Sequence, residues 1–187
     1  MSKIVIDAGH GEHASGKRTL KSLDKSETRE WALNDRVADA LKTYLLSAGH
    51  EILRVDDTSG KRDVPLAIRV KMANEWNADY YISIHHNAGI DGGMGGGTIV
   101  FVYPGTSGKT TRTQEAIYRH SVKRMGLKGN RTNGMTTADY YVLRETKMPA
   151  SLTECGFMDS ATDIKYILNP EWSRKMALGI AEEICSL

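Results

Sequence analysis

Lys3-Ile-Val-Ile-Asp-Ala-Gly-His-Gly11 and Tyr80-Tyr-Ile-Ser-Ile-His-His-Asn-Ala88 are two short, mostly apolar runs, each reaching a histidine just before a turn-forming residue. Runs this apolar suit strands covered on both faces, which is the situation of a parallel sheet. Between them, apolar residues recur with a helical period at Trp31, Leu33, Val37, Ala38, Leu41, Leu45 and Leu46, until Gly49 ends the series. Asp24, Ser26 and Thr28 read as helix-start residues ahead of it.

Extended along the chain, the patterning predicts strand Lys3–Ala8, helix Thr28–Ala48, strand Glu51–Val55, helix Pro65–Asn77, then strands Asp79–His85 and Thr98–Tyr103. It continues with a helix at Lys109–Met125, short strands near Tyr140–Arg144 and Ala150–Glu154, and helices near Ser160–Leu168 and Pro170–Cys185. This alternation predicts an α/β fold with a twisted, mostly parallel central sheet of about six strands and helices on both faces. At 187 residues, without a linker, repeat or low-complexity tract, the chain reads as one domain spanning residues 1–187.

In an open α/β sheet the carboxyl ends of the strands border the crevice where ligands bind. His10 and His85 fall at two such ends, so imidazoles from different strands can converge on one metal ion. Carboxylates also lie near element ends: Glu27 and Glu30 in the first turns of the helix, and Glu154 in Ala150-Ser-Leu-Thr-Glu-Cys-Gly156. Two histidines and one glutamate can hold zinc and leave a position for water, whose pKa the ion lowers to about 7; a further glutamate can take that water's proton. The residues alone do not separate Glu27 from Glu30, since either acid is favoured at a helix N-terminus by the macrodipole.

The segments Val5-Ile-Asp-Ala-Gly-His-Gly11, Glu30-Trp-Ala-Leu-Asn34, Ile82-Ser-Ile-His-His-Asn-Ala88 and Tyr141-Val-Leu-Arg-Glu-Thr-Lys-Met-Pro-Ala-Ser-Leu-Thr-Glu-Cys-Gly-Phe-Met158 resemble, in order, those of the zinc-dependent N-acetylmuramoyl-L-alanine amidases of amidase type 3. The resemblance covers nearly the whole chain. It implies one Zn²⁺ per chain held by His10, Glu30 and His85, with Glu154 as catalytic acid/base; the family spacing of an acid four residues before Asn34 selects Glu30. It further implies hydrolysis of the peptidoglycan amide that joins the lactyl group of N-acetylmuramic acid to L-alanine. A zinc peptidase cutting the stem peptide and a non-catalytic peptidoglycan-binding module are the alternatives.

Competing readings apply to the neighbours. Successive strand side chains point to opposite faces, so His86 cannot aim where His85 aims unless the chain turns, and it reads as a supporting donor or a core histidine. Cys155 could act as a thiolate nucleophile, but alternation sets it opposite Glu154 as a small core residue. Glu154 could instead pair with Arg144. His13, His50 and His120 read as surface residues, and two cysteines, Cys155 and Cys185, give no disulfide framework.

The glycine-rich Gly89–Gly97 stretch reads as a mobile rim of a substrate groove, and polar Ser121–Asp139 as a solvated loop. A net charge of +2 implies no nucleic-acid partner. The start Met1-Ser-Lys3 lacks a secretion pattern and no run suits membrane insertion, so the reading is cytoplasmic synthesis followed by action on the cell wall after holin-type release or lysis, as in phage endolysins.

Overall fold

The computed structural model describes residues 1–125 and 134–185. Among them, β1 (Lys3–Ala8), β2 (Glu51–Arg54), β3 (Tyr80–Asn87), β4 (Ile99–Val102), β5 (Met135–Thr137) and β6 (Ala150–Phe157) form one sheet in the order β2-β1-β3-β6-β4-β5. Neighbouring strands are parallel except for the antiparallel pair β4 and β6. The helices are α1 (Glu30–Ser47), α2 (Leu66–Glu75), α3 (Lys109–Met125), α4 (Tyr141–Arg144), α5 (Ile164–Ile167) and α6 (Pro170–Cys185). The α/β expectation holds.

Strand alternation sorts the side chains between two apolar clusters. Ile4, Ile6 and Ala8 of β1 and Tyr80, Ile82 and Ile84 of β3 pack with Leu33, Val37 and Leu41 of α1 and with Met176 and Ile180 of α6. Val5 and Tyr81 turn the other way, toward Val70 and Ala73 of α2 and Val142 and Leu143 of α4. Each buried aliphatic side chain contributes about 1.5–3 kcal/mol relative to exposure. Helix α1 presents Leu33, Val37, Leu41 and Leu45, four residues apart, to the first cluster. It stops where Gly49 takes a φ of 85°, the left-handed conformation that glycine tolerates best, and donates to Leu46 O at 3.0 Å.

Four local expectations are corrected. Helix α1 opens at Glu30 rather than Thr28, because Asp24 spends its carboxylate on the preceding loop: it accepts from Thr19 Oγ1 (2.8 Å), Ser26 N (3.0 Å), Thr28 N (2.9 Å) and Thr28 Oγ1 (2.6 Å). Tyr140–Arg144 is a helical turn and not a strand; the Leu143 and Arg144 amides both donate to Tyr140 O at 3.0 Å, and burial of consecutive Val142 and Leu143 overrides the β-favouring composition. The Ser160–Leu168 helix shrinks to Ile164–Ile167, since Ser160 Oγ accepts from Thr162 N and Asp163 N at 3.1 Å and holds a turn there. Strand β5, only three residues long, pairs in parallel with β4 and was not anticipated. No helix among the described residues is long and apolar enough to cross a membrane.

Candidate metal centre

Register sets the site. Asp7 of β1 lies beside Ser83 of β3, Ser83 beside Leu152 of β6, and one row further on His85 lies beside Glu154. All five point to the α2/α4 face and line a cavity of about 540 Å³ at the carboxyl ends of the strands. Strand β3 continues through His86 to Asn87, with the β3–β6 pairing irregular between His85 and Asn87.

His10 follows β1 with φ 67°, a left-handed conformation that costs a non-glycine residue about 1–2 kcal/mol. Its carbonyl accepts from Arg69 Nη2 at 3.2 Å. Gly9 precedes it because a Cβ there would come within 2.0 Å of the His85 ring. Glu30, the first residue of α1, reaches into the same space: its Oε2 lies 3.3 Å from His10 Nε2 and its Oε1 3.1 Å from His85 Nδ1. Asn34, one turn along, donates to Gly9 O at 3.0 Å and to Glu30 Oε1 at 3.4 Å.

The ligand atoms of His10, Glu30 and His85 all lie within 4.8 Å of one another. Two nitrogens and a carboxylate form a donor set that zinc accepts, and bonds of about 2.0–2.2 Å to a tetrahedral ion separate neighbouring donors by about 3.3–3.5 Å. The spacings found here are of that size. Glu30 Oε2 is buried with no hydrogen-bond donor, so it is available to a cation. Burial opposes its ionisation, but the imidazoles of His10 and His85 hold the Glu30 carboxyl well below the usual range. Burial likewise disfavours charge on His85, yet its hydrogen bond to Glu30 and the Glu154 charge push its pKa up. The residues fit a zinc ion.

Glu154 stands across the sheet register from His85 with no bond to Arg144, which pairs with Asp139 and Glu145. Its Oε2 is buried and unpartnered. Burial raises its pKa to about 7, against the lowering pull of His85 and Lys17. Cys155 faces the opposite cluster, fully buried, and burial pushes its thiol far above the thiolate range.

Beneath the cavity lies a network that sequence reasoning missed. The Arg69 guanidinium pairs with Asp7 and donates to Ala8 O (2.7 Å), Val64 O (2.8 Å) and Asp63 Oδ1 (3.1 Å), while Tyr81 OH and Ser83 Oγ each donate to Asp7 Oδ2 at 2.8 Å. Burial disfavours ionised Asp7, but Arg69 outweighs it and lowers its pKa. The available signal was an acid inside the apolar run Ile4-Val-Ile-Asp-Ala8 and an arginine between Ile68 and Val70.

The remaining candidates separate cleanly. Glu27, at φ 49°, pairs with Arg18 and Lys21, away from the histidines. His86 is buried on the α1 side with Nδ1 2.8 Å from Asn34 Oδ1, and burial lowers its pKa to about 3. His13 is exposed, His50 is half-buried, and His120 lies on α3 near Glu182 and Glu183 rather than free on the surface. The Gly89–Gly97 segment is anchored: Gly89, Ile90 and Asp91 amides each donate to Asp159 Oδ2 at 2.8 Å, and Gly97 donates to Asp163 Oδ2 at 2.7 Å. None of its residues lines the cavity beside His10 and His85. Of the polar stretch Ser121–Asp139, residues 126–133 lie outside the described residues.

The family model for N-acetylmuramoyl-L-alanine amidase, type 3, matches residues 4–186. The chain is 35% identical over 181 residues to the N-acetylmuramoyl-L-alanine amidase CwlM of Bacillus licheniformis, covering 97% of this chain and 66% of that protein. It is 31% identical over 190 residues to the endolysin of Bacillus phage SPP1, covering 100% of this chain and again 66% of the relative. The chain thus spans just under two thirds of the length of these curated relatives. Its fold superposes on the N-acetylmuramoyl-L-alanine amidase AmiC2 of Nostoc punctiforme with a TM-score of 0.84 at 26% identity, covering 99% of this chain and 96% of that one.

Proposed function

The chain belongs to the N-acetylmuramoyl-L-alanine amidase family, and from that premise we propose that residues 1–187 are a catalytic domain that hydrolyses the amide between N-acetylmuramic acid and L-alanine in peptidoglycan, using one zinc ion held by His10, Glu30 and His85. The observation that carries the reading is the convergence of these three donor sets within 4.8 Å beside an unpartnered Glu154 carboxylate in an open cavity. A protein that only bound the wall would have no use for a base beside such a cluster.

Zinc bound there supplies Lewis acidity, lowering the pKa of water to about 7 and offsetting the negative charge that develops on the amide oxygen. Glu154 takes the attacking water's proton on a carboxylate oxygen and returns it to the departing alanine nitrogen. A pKa raised to about 7 by burial suits both roles, since such a group accepts and releases a proton near neutrality. Asn34 and Arg69 keep the ligands in place: the first bridges Glu30 and the Gly9 carbonyl, the second grips the backbone on either side of Gly9. The 31% identity to a phage endolysin supports action on the wall after release at cell lysis.

Mass spectrometry of digested peptidoglycan tests the bond assignment. We expect stem peptides with a newly free alanine amine, and no new reducing sugar ends. Alanine still attached to muramic acid in the products would reject the amidase reading and favour a stem peptidase, because the same metal chemistry serves any amide that the groove presents.

A further inference from the structure

We propose that Lys17 determines stem specificity: its ammonium pairs with the free α-carboxylate of the second stem residue, a γ-linked D-glutamate, and so distinguishes this stem from one carrying the neutral amide. The inference rests on the amidase reading above and adds the substrate class within it.

Lys17 is fixed beside the metal centre by backbone pairing. Its carbonyl accepts from the Glu30 amide at 3.0 Å, Arg18 bridges Arg29 in antiparallel fashion, and Thr19 N donates to Thr28 O at 2.9 Å. The turn joining these two segments is held by the four bonds to the Asp24 carboxylate. A loop that is polar in sequence is therefore pinned against the residue that opens α1. From this backbone the Lys17 side chain, 47% exposed, lines the cavity and places Nζ 3.8 Å from Glu30 Oε2.

Charge in the cavity makes that ammonium consequential. Asp7, Asp63 and Glu154 line it with Glu30 behind, and Arg69 and the proposed zinc ion are taken up in balancing these carboxylates, so a cation that answers an anionic stem must come from elsewhere on the wall. The Arg69 guanidinium is committed to Asp7, Asp63 and the carbonyls of Ala8, His10 and Val64. Lys17 pairs only loosely, with an oxygen that the proposed metal engages. Lys17 Nζ stands in the cavity 3.8 Å from an oxygen of the proposed ligand Glu30, at the end of a half-exposed side chain free to swing along the wall. A carboxylate one residue beyond the scissile amide falls within that reach. A compact, mobile ammonium then makes a charge-assisted hydrogen bond that an amide in the same place does not.

The test uses two soluble muramoyl peptides that differ only in D-isoglutamate or D-isoglutamine at the second position. Wild-type kcat/KM should favour the anionic stem by about 10- to 100-fold, through KM, and the preference should shrink as ionic strength rises. Lys17→Met should bring the ratio of the two stems to within about twofold, while Lys17→Arg should keep most of it. Calorimetric binding of both peptides to zinc-loaded Glu154→Gln, with and without Lys17→Met, should show the same ratios without turnover. A wild-type protein indifferent to the two stems, or a Lys17→Met variant that slows both equally and retains the wild-type ratio, would overturn the proposal. Failure of the amidase reading looks different: neither peptide would be cut at the lactyl amide, whereas the binding ratios would still report on Lys17.

Discussion

Replacing Glu154 by glutamine probes two consequences of one buried carboxyl. Burial raises its pKa from 4.5 to about 7 in the metal-free fold. The native state therefore holds this proton more tightly than the unfolded chain does. That contribution to stability is fully present below pH 4.5 and is lost as pH rises through about 7. At about 1.4 kcal/mol per pH unit, the interval from 4.5 to about 7 corresponds to about 3 kcal/mol. Solvent in the open cavity screens the site and reduces this to about 1–3 kcal/mol. Glutamine has the shape of the protonated acid and does not titrate. Metal-free Glu154→Gln should match wild type near pH 4 and exceed it in stability by about 1–3 kcal/mol at pH 8, measured by urea denaturation of chelator-treated protein. With zinc restored, the same variant should keep its metal and lose about 10²- to 10⁴-fold in turnover, the usual share of a positioned acid–base group. A stability difference that stays flat from pH 4 to pH 8 would refute the burial argument. Near-wild-type turnover in a metal-loaded variant would refute the catalytic role, and loss of zinc would make Glu154 a ligand.

Other outcomes follow from the same geometry. A strong chelator should abolish activity and zinc should restore it, His85→Ala should lose the metal by elemental analysis, and thiol alkylation of the folded protein should leave rates unaltered because Cys155 is fully buried on the opposite face. Arg69→Met should lower folding stability by about 3–5 kcal/mol in denaturant titrations, since it leaves the Asp7 carboxylate buried without its cation, and zinc affinity should fall with it as His10 loses its backbone support. Leu41→Ala, in the centre of the α1 face and fully buried, should cost about 2–5 kcal/mol while the zinc content of the folded protein stays at one per chain.

Legibility in the sequence followed the strength of local periodicity. β1, α3 and α6 carry clear patterns and punctuation, and their bounds matched the expectation to the residue. Residues 140–144 did not, because two tyrosines, a valine and a leucine read as strand whenever their tertiary neighbours are unknown. Within the site, His10, His85 and Glu154 were visible as polar residues at the ends of apolar runs. Glu30 was not separable from Glu27 by composition, since both lie at a helix start; the family spacing selected it, and the structure places only Glu30 against the imidazoles. Lys17 and Arg69 were invisible as site residues because their positions depend on pairing with residues 13 and 62 positions away, Glu30 and Asp7.

The register of β6 couples folding to chemistry. Residue 154 stands beside His85 on the cavity face and residue 155 turns into the cluster under α1 and α6. Because the side-chain period of a strand is two, a slip by one residue would exchange them. It would place an inert thiol beside the metal centre and drive a carboxylate into an apolar interior, where an unpaired polar group is strongly disfavoured. The native register sets Leu152 and Glu154 toward the cavity and Cys155 toward the opposite cluster, just before the irregularity between His85 and Asn87. The same apolar and polar alternation that stabilises the sheet thus selects the one arrangement in which the proposed base, Glu154, stands beside the proposed ligand, His85. Substitutions that make residue 155 polar or residue 154 apolar should therefore weaken the fold's choice of register as well as the reaction.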